Sequence, residues 1–83
     1  MTILINDKTR GDNVTYFNAT CGKTSAHISI YTDGRVGVCV LNASHRAWKR
    51  MGKYFASLDL ALQNYKSEAV RQILFTVSAE AAS

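Results

Sequence analysis

Acidic residues are absent from a long stretch of this chain, and that stretch contains half of the basic residues. No Asp or Glu occurs between Gly34 and Leu58, where five of the ten Lys and Arg residues stand. The rest of the chain holds five bases and six acids. The formal net charge of +4 is therefore concentrated in one stretch. A local basic patch of this kind attracts polyanions or acidic protein surfaces.

Long apolar runs and paired cysteines are also scarce. The apolar run 1–6 is too short for a secretory signal peptide because Asp7 ends it, and no run approaches the ~20 residues of a membrane span. Two cysteines, Cys21 and Cys39, are too few for a disulfide framework. We therefore expect a cytoplasmic protein without membrane contact, whose cysteines are buried thiols.

The length limits the architecture to a single domain, residues 1–83. A chain this short buries only ~60–65% of the surface that its unfolded form exposes. A homodimer that adds buried area would suit such a chain. The hydrophobic fraction of 47% and the charged fraction of 19% are typical of a globular protein rather than a disordered one.

The clearest local pattern predicts a β-hairpin. Residues 26–31 alternate polar or aromatic side chains with two isoleucines, residues 32–34 form a Thr-Asp-Gly turn, and residues 35–41 return with valines at every second position. Residues 14–20 are rich in Val, Thr, Tyr and Phe and predict a further strand. Residues 7–12 are polar and turn-like.

Residues 45–55 fit either a helix or a strand. As a helix they would place an apolar stripe opposite the bases. As a strand they would put Trp48, Arg50 and Tyr54 on one face. The short turn after Leu41 favours the strand, because it continues an antiparallel meander.

The C-terminal third predicts helix. Ser57 is a good N-cap, and Asp59 in the first turn suits the helix dipole. The apolar spacing continues to about Ser78, and Ser67 resembles a second N-cap, so the helix can break near Lys66. The fold class is α+β: a three- to four-stranded antiparallel sheet followed by a C-terminal helix packed on one face. The other sheet face is left for solvent or a partner.

Residues for catalysis or metal binding are sparse. Cys21 with His27 or His45 is the one conceivable nucleophile–base pair, and no oxyanion loop or carboxylate pair accompanies it. Cys21, His27, Cys39 and His45 repeat the spacing Cys-x5-His and could supply four zinc ligands. Neither half has the usual Cys-x2–4-Cys spacing, so buried thiols and surface histidines are favoured. We expect no enzyme, no cofactor and no metal site.

The basic-aromatic segment 45–54 is the candidate binding site. Its bases would neutralise phosphates, while Trp48 or Tyr54 could stack on a nucleic-acid base. An acidic surface of a larger protein complex would attract the same charges. A solvated basic face with Trp48 in the core is the alternative without function. The candidate residues for binding nucleic acid or a protein partner are Arg35, Arg46, Trp48, Lys49, Arg50, Lys53 and Tyr54.

The junction that follows this segment has a recognisable spacing. Phe55, Ser57, Ala61 and Tyr65 fit Phe-x-(Ser/Thr)-x3-Ala-x3-Tyr. This spacing resembles the strand-to-helix junction of plant AP2 domains and of the arm-binding domains of some phage integrases, over about residues 26–66. The resemblance implies a three-stranded antiparallel sheet before one helix.

In that family the sheet face away from the helix enters the DNA major groove. The resemblance would give this role to Arg35, Gly37, Trp48 and Arg50. The chain departs from the family pattern in two respects. Its interval from Gly to Phe is one residue longer, and its first strand lacks the family's arginines.

In size and style the chain also resembles the small accessory proteins of phages and plasmids, anti-CRISPR inhibitors among them. Such proteins act by occupying a nucleic-acid or partner surface on a larger complex. This resemblance implies a protein inhibitor or adaptor as the alternative to a nucleic-acid-binding module. Many of these proteins are acidic, whereas this chain is locally basic.

Overall fold

The computed structural model describes residues 2–42 and 52–82, which form a five-stranded antiparallel sheet and two helices. The strands are β1 (Ile3–Arg10), β2 (Val14–Cys21), β3 (Thr24–Tyr31), β4 (Val36–Asn42) and β5 (Lys53–Phe55). The helices are α1 (Leu58–Asn64) and α2 (Glu68–Ala82). Each strand pairs with the one before it, so the sheet is a meander. The predicted α+β class is confirmed.

The predicted hairpin corresponds to β3 and β4. The Gly34 N–H donates to the Tyr31 carbonyl at 3.0 Å, and Gly34 has a φ of +99°, which L side chains rarely adopt. An Asp33 carboxylate oxygen accepts from the Arg35 N–H at 3.1 Å and closes the turn from the other side. The alternation across the hairpin is also confirmed, because Ile28 and the valines of β4 lie on the helix-covered face.

Residues 7–10, which were expected to belong to a turn at residues 7–12, are part of β1 instead. Its ladder with β2 runs from Ile3 to Arg10, with a register shift between Ile5 and Asp7. A polar segment can remain a strand here because it is an edge strand, whose backbone bonds β2 while its side chains reach solvent. The Lys8 ammonium lies 3.1 Å from a Glu80 carboxylate oxygen and links β1 to α2.

The strand count is therefore five rather than three to four. β1 is the additional strand, and β5, next to β4, is the fourth strand expected from residues 45–55. For residues 53–55 the strand interpretation is confirmed. Residues 45–51 lie outside the residues that the structure describes.

Both helices pack on the same face of the sheet. α2 crosses β2 and β3 and also reaches β1, while α1 lies against β4 and β5. Ala19 and Ala26 oppose each other towards the turn end of the β2–β3 pair and are fully buried, and their small side chains leave room for a close approach to the backbone. The buried apolar residues are Phe17, Ala19, Cys21, Ala26, Ile28, Val36, Val38, Ala61, Leu62, Val70, Ile73, Leu74 and Val77.

The helical region is interrupted near Lys66, as the sequence predicts. The Ser57 hydroxyl accepts from the Leu60 N–H at 3.2 Å and caps α1. Tyr65 is extended, with φ −106° and ψ 126°, and ends α1. Arg71 donates to the Leu62 carbonyl, one of the last acceptors that α1 leaves unpaired. Of the helices that the structure describes, neither is long and apolar enough to cross a membrane.

The turn geometry predicts that Gly34→Ala lowers the free energy of unfolding by about 1–2 kcal/mol, because a Cβ is strained at positive φ. Chemical denaturation measures this loss. Gly52→Ala is the matched control: its φ is not positive, and a Cβ there would make ordinary contacts from 3.4 Å outwards. An equal loss in both variants would contradict the assigned turn.

The core predicts that Ile73→Ala lowers the free energy of unfolding by about 2–5 kcal/mol, since Ile73 is fully buried between α2 and the sheet. Phe75 on the same helix is half exposed. Phe75→Ala should therefore cost far less in the same denaturation experiment. A larger loss from Phe75→Ala would mean that α2 is rotated on the sheet.

Candidate binding face

The residues proposed from the sequence fall into two groups. Arg46, Trp48, Lys49 and Arg50 lie outside the described residues, as does His45. Arg35, Lys53 and Tyr54 are described. Arg35 stands in the turn immediately before β4, and the other two belong to β5.

Lys53 and Tyr54 lie on opposite faces of the sheet. Tyr54 opposes Gly37 of β4, and its neighbours along β5 oppose Val36 and Val38 of the core. Because successive strand residues alternate, Tyr54 faces away from the helices and Lys53 does not. Lys53 is exposed at the margin of the helix-covered face. The two residues therefore do not share one surface.

The face away from the helices, which we call the open face, has a row of four residues straight across β2 to β5. The pairing aligns Tyr16, Ser29, Gly37 and Tyr54. Tyr54 is 70% exposed and Tyr16 is 38% exposed, whereas Ser29 between them is 7% exposed. Strands lie ~4.8 Å apart, so the two tyrosine backbones are about 14 Å apart. The row is a trough with a ring at each end.

Gly37 makes room for the ring of Tyr54. A Cβ at position 37 would lie 2.9 Å from Cε1 and 3.1 Å from Cδ1 of Tyr54. The ring therefore rests on the glycine backbone, which covers a weak point of the sheet. The same ring borders a depression that His27, Cys39 and Gly52 also line.

His27 and Tyr16 form a stacked pair on the open face. Their ring centroids are 6.0 Å apart and their planes are inclined by 22°. The His27 Nδ1 atom bonds the side-chain oxygen of Asn18 at 2.8 Å, so Nδ1 carries the proton in this arrangement. The hydrogen bond holds the imidazole in the plane where it meets Tyr16.

Tyr31 links the rings of the open face to Arg35. The Arg35 guanidinium lies 4.6 Å from the centre of the Tyr31 ring, and its Nε donates to Asp33 at 2.8 Å. The backbone N–H of Arg35, followed by its side chain, lowers the pKa of Asp33. Burial raises the pKa of Tyr31, with further increases from the Tyr54 and Tyr16 charges, while the Arg35 charge opposes them.

Of the Cys and His residues considered for catalysis or zinc, the three that the structure describes (Cys21, His27 and Cys39) do not converge. Cys21 is buried on the helix-covered face, whereas His27 pairs with Cys39 on the open face. Cys21 therefore cannot act with His27 as nucleophile and base, nor join His27 and Cys39 around one metal. Over residues 2–42 and 52–82 no group of three or more His, Cys, Asp or Glu side chains could hold a metal ion.

Three rings of the open face were missing from the sequence-based set of binding residues. Tyr16, His27 and Tyr31 come together only through strand pairing. The alternation of residues 26–31 does carry a signal, because it puts His27 and Tyr31 on the side opposite the isoleucines. Together the rings offer flat apolar surfaces with polar edges, which suit stacking against planar groups.

The contacts of Tyr31 predict opposite effects of two neighbours on its pKa. Tyr54→Ala should lower it towards the usual value of about 10, since the ring, charge and hydrogen bond of Tyr54 are lost. Arg35→Gln should raise it further, because the opposing positive charge is lost. Absorbance titration of tyrosinate, with Tyr31→Phe versions subtracted, measures both shifts. Shifts of the same sign would contradict this arrangement.

The raised pKa also sets a pH range for stability. The folded pKa of Tyr31 lies above its unfolded value, so its contribution is complete below about pH 10 and is lost as the pH rises through the folded pKa. Tyr31→Phe should show less of this alkaline loss. Denaturation on both sides of pH 10 tests the sign.

Comparison with known proteins finds no relative of this chain. No protein-family model, no curated protein and no solved structure matches the chain. What the chain does is therefore inferred from its two sheet faces and its charge distribution.

Proposed function

We propose that this chain is a non-enzymatic nucleic-acid-binding module that works in the cytoplasm. The observation that carries the proposal is that the ring cluster of the open face (Tyr16, His27, Tyr31 and Tyr54) adjoins the acid-free stretch between Gly34 and Leu58. The acid-free stretch re-enters the described structure at Gly52, which lines the same depression as His27 and Tyr54. In this proposal the bases that precede Gly52 in the sequence supply positive charge beside the rings at this side of the open face.

Nucleic acid matches both properties of this junction. Its phosphates would be neutralised by bases of the acid-free stretch, and its planar bases would stack on exposed rings. Arg35 lies beside the ring cluster and adds a cation near Tyr31. In this proposal Arg46, Lys49 and Arg50 bind phosphates with Arg35 beside them, and Trp48 and Tyr54 are the aromatic anchors. Lys53 lies on the other face of the sheet and is not part of this surface.

Acidic side chains near the cluster do not oppose this charge strongly. Asp33 is already bonded to Arg35 by both its oxygens. Asp7 lies on β1, two strands away from β3, and pairs with Asn18. Asp33 and Arg35 therefore offset each other, and in this proposal the excess positive charge comes from the other bases of the acid-free stretch.

The proposal predicts nucleic-acid binding that weakens steeply with salt. If about four phosphates are neutralised, log K should fall against log salt concentration with a slope of about −3 to −4. Arg46→Glu with Arg50→Glu should abolish binding and leave folding intact, since surface changes usually alter stability by less than about 0.5 kcal/mol. Fluorescence anisotropy with labelled duplex DNA, single-stranded DNA and RNA measures both effects.

A charge-matched variant separates a site from overall charge. Arg10→Glu with Lys66→Glu makes the same change in net charge at exposed positions outside the acid-free stretch. It should retain most of the affinity. Equal weakening by both double variants would mean that binding reflects net charge alone. If no nucleic acid binds at low salt, the proposal is wrong, and an acidic protein surface becomes the partner to seek by pulldown.

A further inference from the structure

The open face carries aromatic rings. A protein that recognises base edges in duplex DNA needs long side chains that donate hydrogen bonds. Along the described strands, no Lys or Arg has a position on this face, and Arg35 stands in the turn beside it. Arginine and lysine are the side chains that most often reach base edges in the major groove. Between Tyr16 and Tyr54 the row contains only Ser29 and Gly37. The described part of this face therefore offers rings rather than donors for base edges inside a groove.

Unstacked bases fit this trough better than paired ones. Every base of a single strand exposes a π face, and stacking on aromatic side chains is the usual way in which proteins hold it. Tyr54 has its outer ring surface open, because its inner surface rests on Gly37. Tyr16 is held by its stack on His27, so less freedom is lost when a base binds.

Arg35 places a guanidinium beside the row of rings. Arg35 lies in the β3–β4 turn, at one end of these strands. The acid-free stretch leaves the described part at Asn42, which pairs with Thr24 at the other end of the strands. A strand laid across the open face would therefore pass the Arg35 guanidinium, and in the sequence the bases of the acid-free stretch follow Asn42.

We propose that the open face binds a single-stranded polynucleotide, with bases stacked on Tyr16 and Tyr54. The inference rests on the proposed nucleic-acid-binding function and names the form of nucleic acid that the site takes. Ser29 and Gly37 form the floor of the trough. Because Gly37 has no side chain, it leaves room for the Tyr54 ring. The bases are held by their faces, so little sequence preference is expected.

The test compares labelled oligo-dT and oligo-rU with a duplex of the same length, in full-length protein. Tyr16→Leu and Tyr54→Leu should each weaken single-strand binding by roughly tenfold or more, because leucine cannot stack on a base. Tyr16→Phe and Tyr54→Phe keep the ring and should retain most of the affinity. Phe75→Leu alters an exposed ring on α2, away from the open face, and should have no effect. Thermal unfolding confirms that each variant is folded.

The outcomes separate this inference from the proposed function. Loss of single-strand binding in the Leu variants, with the Phe variants intact, supports the stacking site. Unchanged single-strand binding in the Leu variants overturns it, while salt-dependent binding by the native protein keeps the proposed function. Tighter binding of the duplex than of either single strand also overturns the inference. If the native protein binds none of the three probes, both proposals fail.

Discussion

The packing of α2 against β2 and β3 determines both faces of the sheet. Phe17 and Ile28 oppose each other near the centre of the β2–β3 pair, with Ala19 and Ala26 beside them on the same buried face. Because side chains alternate along a strand, a slip of one residue would exchange the two faces completely. A slip of β2, for example, would take Phe17 out of the core and turn Tyr16 towards α2. The register that buries the alanines therefore also creates the open face.

Local signals predicted the elements whose hydrogen bonds close within a few residues. The Asp33–Gly34 turn and the Ser57 cap are of this kind, because each requires one residue type at one position. β1 escaped prediction for the opposite reason. Its polar residues carry no alternating pattern, and its stability comes from a ladder to β2 and the ion pair of Lys8 with Glu80, a residue near the far end of the chain. Such long-range pairing leaves no local trace.

The candidate site, too, could be predicted only where it depends on local sequence. Charge is a property of composition, so the basic stretch was visible from the sequence alone. The ring cluster depends on cross-strand neighbours, and Tyr16 meets His27 only when β2 and β3 pair in their observed register. The sequence also grouped Lys53 with Tyr54 because they are adjacent. In a strand, adjacency places two side chains on opposite faces.

The arrangement separates the groups that hold the fold from the groups available for binding. The buried apolar residues lie between the helices and one sheet face, so the rings on the other face contribute little to that core. Tyr54 is the informative exception, because its ring covers the Gly37 backbone and yet remains 70% exposed. A ring in this position stabilises a flat edge of the sheet and presents its outer surface at the same time. Since β5 is only three residues long, that contact with Gly37 helps to hold β5 against β4. The strand that carries Tyr54 is thereby fixed, in part, by the same ring that we propose for stacking.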